Sequence, residues 1–314
     1  MICLAADGFS WGFYGHKQIN RHAVFLLPPQ MMIFYKPGID FLTEHAIDPD
    51  KRRYAVEAEA PRHYIDIDFY GVYPFHELPR KYADAVARYG EETVLENGIV
   101  PWHIPVMLER LTKAFREKNY PAIMKNSADI GHYIADAHVP LHASKNHNGQ
   151  LTNQRGIHGF WESRIPELIG AREFDLFVGK AEYIRNPSVF IWEKVLESGH
   201  AADSVLVLEK QLSATFPSDK KYAFEKRNNI VIRQYSTAYT RAYNEMLNGM
   251  VERRFRESIF AVASFWYTAW VDAGQPDLTG ISAGGFSEKD LAEFEMLNQM
   301  WNSGKIKGRS HDEE

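Results

Sequence analysis

"YPAIMKNSADIGHYIADAHVPLH", residues 120–142, places apolar residues at helical spacing until Pro140, so the helix should end near Ala137 to Val139. Upstream, "IPVMLERLTKAFREKN" (104–119) and "RKYADAVARYGEETVLENG" (80–98) repeat that period. Few stretches alternate apolar and polar residues. These observations predict an all-α chain, a single multi-helical domain with no internal repeat and no strong domain boundary. Downstream, "SKNHNGQLTNQRG" (144–156) reads as a loop, and a new helix begins around Ile157 in "IHGFWESRIPEL". Residues 170–230 read as a helical lid or support, 228–274 as one or two aromatic-rich helices closing the core, 275–287 as a loop, and a short helix leads into the charged tail 301–314.

The composition sets limits on function. In 314 residues, 36 Lys and Arg face 41 Asp and Glu, a formal charge of -5 that provides no broad basic surface for duplex nucleic acid. No apolar run reaches the roughly 20 residues of a spanning helix, so no transmembrane segment is expected. The single cysteine, Cys3, excludes a disulfide framework and a thiolate metal site, which leaves nitrogen and oxygen as metal donors. Residues 1–10, "MICLAADGFS", read as the remnant of a secretory signal peptide, which implies a secreted or periplasmic protein and places the catalytic domain at 11–300.

Five of the thirteen histidines, His132, His138, His142, His147 and His158, fall within 27 residues. His132 and Asp136 are four apart, as are His158 and Glu162, so each pair shares one face of a helix and can bind one ion. A single such pair is commonly a surface ion pair, whereas two pairs with His142 between them within 31 residues point to metal. His138 points about 240° round the helix from His132 and reads as structural or exposed. Earlier in the chain, "RHYIDID" carries His63, "HAIDPDKRR" carries Asp48, and "WGFYGH" sets His16 five residues after Trp11. Alone, Asp48 reads as a helix cap.

The order of these blocks resembles the superfamily of zinc-dependent phospholipases C and single-strand-specific zinc nucleases, over Trp11 to Ile165. The resemblance implies a trinuclear zinc cleft. Asp48, His63, His132 and Asp136 would hold one zinc, and His142, His158 and Glu162 a second. Trp11, through its amine and carbonyl, would hold the third with His16 and a bridging Asp136. Three zinc ions are implied, or two if the Trp11 amine is not freed by processing. Asp66 is the carboxylate expected to orient an imidazole. The implied activity is hydrolysis of phosphoester bonds by a metal-activated water, with Asp48 as the catalytic residue that orients or deprotonates it.

The implied partner is a phosphoester substrate, phospholipid or single-stranded nucleic acid. The "WGFYGH" spacing is similar to the nucleases, whereas Glu162 in "GIHGFWES" is similar to the phospholipases. A non-catalytic, zinc-stabilised binding protein is the alternative from another class. A di-iron carboxylate bundle fits poorly, because its Glu-x-x-His signature is replaced here by His-first pairs at four-residue spacing.

Overall fold

Helix boundaries follow the local chemistry closely. A computed structural model describes residues 12–227, 230–281, 285–304 and 306–307. The first helix, α1 (Gly12–Ala23), is followed by three short ones, α2 (Pro29–Tyr35), α3 (Ile39–Glu44) and α4 (Asp48–Arg52). Next come α5 (Tyr82–Tyr89), α6 (Glu91–Glu96), α7 (Val100–Arg116) and α8 (Tyr120–Ala137). Asn119 caps α8 by accepting the Ala122 N–H at 3.2 Å, and Pro121 sits in the first turn where a missing donor costs nothing. The helix ends at Ala137, within the range set by Pro140.

The later half is less regular. After the loop, α9 (Ile157–Gly159) runs on through π-helical turns, Phe160–Arg164 and Pro166–Gly170, into α10 (Ala171–Glu173). Residues 174–186 form no helix, and α11 (Pro187–Thr215) follows. Two antiparallel strands, β1 (Tyr222–Arg227) and β2 (Ile230–Tyr235), then pair in register. Their presence corrects the helical reading of 170–230 and the helical start placed at 228. The remaining helices are α12 (Thr237–Met246), α13 (Met250–Asp272) and α14 (Glu288–Asn302).

The described residues thus form an all-α single domain with one small hairpin. Helices α7 and α8 pack along one another, and α13 packs against α1, α7 and α8. Trp266 on α13 donates its indole N–H to the Ser127 carbonyl at 3.1 Å and stacks on Tyr35 at 5.1 Å, which locks α2, α8 and α13 around one aromatic core. Among the described residues no helix is long and apolar enough to cross a membrane. Residues 1–11, the expected signal remnant and Trp11 included, lie outside the described residues, as does most of the expected 301–314 tail.

Candidate metal centre

Three helices and two connecting segments deliver most of the expected side chains to one interior region. Helix α8 presents His132 and Asp136 on its buried face, α1 presents His16, the segment before Tyr64 presents His63, and the turn after α8 presents His142. From the far side, α9 and its π-helical extension present His158 and Glu162. Each of these side chains is 2% exposed or less. Buried charge at this density needs compensation, because an isolated carboxylate in a protein interior is expensive.

Among the described residues, three groups could each hold a metal ion, the ligand atoms within a group lying within 4.8 Å of one another: His16 with His132 and Asp136; Asp50 with His63 and His132; and His142 with His158 and Glu162. Asp136 connects them. Its Oδ2 lies 2.9 Å from His63 Nδ1 and 3.2 Å from His132 Nε2, while its Oδ1 lies 3.4 Å from His16 Nε2 and 3.8 Å from His142 Nδ1. One carboxylate therefore faces two ligand sets with different oxygens. In the third group, Glu162 Oε2 lies 3.2 Å from His158 Nε2 and 3.5 Å from His142 Nε2.

Backbone carbonyls orient most of the imidazoles. His132 Nδ1 donates to the Ala46 carbonyl at 2.8 Å, His142 Nδ1 to the His63 carbonyl at 2.6 Å, and His158 Nδ1 to the His147 carbonyl at 3.0 Å. Each bond fixes the tautomer that leaves Nε2 for an ion. His63 is reversed: its Nδ1 faces the cluster, and its Nε2 lies 3.7 Å from Glu59 Oε1. Asp66, the carboxylate expected to orient an imidazole, is buried, and its backbone N–H is donated to the Asn97 carbonyl.

Asp48, expected as ligand and catalytic residue, lies outside these three groups. Its carboxylate accepts from His45 Nδ1 at 2.6 Å and from Lys51 Nζ at 3.1 Å. Burial alone would raise its pKa, but the hydrogen bond and charge of His45, with Lys51, outweigh burial and hold it below the usual value. Asp50, on the far side of Pro49, supplies the carboxylate of the second group, 3.6 Å from His132 Nε2 and 3.8 Å from His63 Nδ1. The "DPD" triplet holds both acids, of which the sequence analysis named only Asp48. A two-residue step in a short helix swings the side chain by about 200°, and the burial pattern of the surrounding fold decides which acid points inward.

The electrostatics match a cation site. Burial would push Asp136 up, yet the charges of His132 and His142 and the hydrogen bonds from His132 and His16 hold it well below the ordinary carboxylate value. Burial would push His132 down, but Asp136 and Asp50 raise it to about 9. His16 is lowered, first by burial and then by the charge of His132 stacked 3.8 Å away. A cavity negative enough to hold a proton on a buried imidazole favours a divalent ion in that proton's place. The set of imidazole and carboxylate donors suits zinc, whereas magnesium or calcium sites are built from oxygen.

His138 is buried, its Nδ1 donating to the Ile134 carbonyl at 2.7 Å, in agreement with its structural reading. Trp11 falls outside the described residues, so its assignment to a third ion gains no geometry. No family model matches the chain, and no curated protein matches it.

Proposed function

We propose that the protein is a zinc-dependent hydrolase of phosphoester bonds, of phospholipase C-like type. The observation that carries the reading is the division of labour in the cluster. His142, His158 and Glu162 offer three donors, the number found in catalytic zinc sites that keep a fourth position for water or substrate, while Asp136 faces two ligand groups at once. Neighbouring divalent ions in such a cluster would polarise a phosphoryl group and lower the pKa of a water molecule. The chain's own residues set the geometry. Carbonyls of Ala46, His63 and His147 hold the imidazoles in one tautomer, and burial excludes bulk water from around the carboxylates. Asp50 is the carboxylate placed to help orient a nucleophile near His63 and His132, the role expected of Asp48.

The test is metal analysis of the purified full chain, followed by hydrolysis of bis(4-nitrophenyl) phosphate, phosphatidylcholine, single-stranded DNA and RNA. Asp136→Asn should lose at least one zinc per chain and reduce turnover at least about 100-fold, with helix content kept in circular dichroism. Full zinc content and full turnover in that variant would overturn the reading. Turnover of the single-stranded substrates without turnover of lipid would move the protein to the nuclease branch.

A further inference from the structure

The hairpin formed by β1 and β2 stands beside the metal centre and presents a face unlike the rest of this acidic chain. In the antiparallel register Tyr222 pairs with Tyr235, Phe224 with Arg233 and Lys226 with Val231, and strand alternation puts these six side chains on one face. Phe224 is 75% exposed and Val231 65% exposed. Lys226 and Arg233 are exposed beside them, and this face carries no carboxylate. The acid between them in sequence, Glu225, is on the opposite face and engaged there by Arg164. Two bare apolar side chains interleaved with two cations, in a chain of formal charge -5, call for a partner that is both anionic and apolar.

The base of the hairpin is fastened to the ligand-bearing helix. Phe160 stacks on Tyr235 at 3.8 Å. Arg164, buried, donates from Nε to the Tyr235 carbonyl at 3.2 Å and from Nη1 and Nη2 to Glu225 at 3.2 and 2.5 Å. These two residues flank Glu162 at a distance of two on either side, so whatever the hairpin touches is held at a fixed place relative to the candidate metal centre.

We propose that this hairpin docks the protein onto an anionic phospholipid surface, with Phe224 and Val231 entering the boundary between headgroups and acyl chains and Lys226 and Arg233 resting on the phosphates. The proposal deepens the phospholipase C-like reading and rests on it for its purpose, though not for its test. A lipid surface fits better than a nucleic acid strand. Binding of unstacked bases needs open aromatic faces, and here Arg233 covers Tyr222 at 3.8 Å while Phe160 covers Tyr235, which leaves Phe224 as the one uncovered ring of the face. An aliphatic valine beside a phenylalanine and two cations is the composition of an interfacial element.

The experiment is co-sedimentation of the full chain on ice with vesicles of phosphatidylcholine alone and with vesicles containing about one third phosphatidylglycerol. The double variant Lys226→Gln/Arg233→Gln should bind the anionic vesicles about 25-fold more weakly, at about fivefold per cation, and lose the preference for them. Phe224→Ser/Val231→Ser should weaken binding to both vesicles by about tenfold or more. Both variants should hydrolyse bis(4-nitrophenyl) phosphate at the unmodified rate and keep the unmodified helix content. Vesicle binding equal to that of the unmodified chain in both variants would overturn the proposal, as would loss of oligo(dT) binding in their place. Should no form of the chain hydrolyse the soluble diester, the hydrolase reading fails while the vesicle comparison still decides the role of the hairpin.

Discussion

Asp136 and Asp50 sit at the centre of the electrostatics, and a neighbouring acid makes a stringent control for them. Asp48 lies two residues from Asp50, is similarly buried, and is neutralised by His45 and Lys51. Asp50→Asn should therefore weaken binding of one zinc by at least about 10-fold in competition with a chelating dye, because an anionic donor beside His63 and His132 becomes a neutral one. Asp48→Asn should leave zinc content unchanged and instead cost about 1–3 kcal/mol of stability, by breaking a buried charge-assisted pair. The opposite pattern, zinc lost with Asp48→Asn and kept with Asp50→Asn, would restore the assignment that the resemblance implied. At this scale the residue types and the i, i+4 pairs were legible in the chain, whereas the choice between two aspartates flanking one proline was not. Both read as acids at a helix start, and only the direction of burial separates them.

Between elements, the closest approach that matters to the site is α1 against α8. Gly131 lies one residue before His132, and a Cβ there would come within 2.0 Å of Asn20 Oδ1 and 2.9 Å of Asn20 Cγ. Asn20 is fixed in turn, since its amide donates to the Ala128 carbonyl at 3.1 Å. Helix propensity alone says that Gly131→Ala should stabilise α8 by about 1 kcal/mol. The crossing says otherwise: the variant should lose about 1–3 kcal/mol in urea unfolding as α1 is pushed away, carrying His16 from Asp136. A stabilised variant would show that the helices are not held at this distance. The hairpin marks where element reading failed. Neither "YAFEKR" (222–227) nor "IVIRQY" (230–235) alternates apolar with polar residues, since each opens on three apolar residues and continues with polar ones, so no period of two marked the strands against the long helical periodicities on either side. The π-helical turns after Gly159 were equally hidden, because nothing in the order of residues separates a π turn from an α turn, and the His158–Glu162 contact at 3.2 Å survives the change.

Across the whole molecule, the candidate metal centre joins α1, α8, the Asp50 and His63 segments and the α9 extension, so ion binding there should act as a clasp on the fold. On the zinc reading, removing the ion with a chelator should lower Tm by roughly 4 °C, the shift expected when a ligand at about 100 times its dissociation constant is withdrawn from a single domain of 314 residues. Differential scanning calorimetry with and without added zinc measures it, and an unchanged Tm would show that the fold is indifferent to the ion. The sequence by itself determined the all-helical class, the boundary of α8 at Pro140, the donor chemistry forced by a lone cysteine and many histidines, and the two His/carboxylate pairs. All of these depend on covalent geometry and spacing within a few turns of chain. The tertiary structure alone decided that Asp50 rather than Asp48 faces inward, that carbonyls of Ala46, His63 and His147 set the tautomers, and that the two oxygens of Asp136 address different groups. Those features depend on which way a surface turns when distant segments pack, and packing direction is a property of the assembled core.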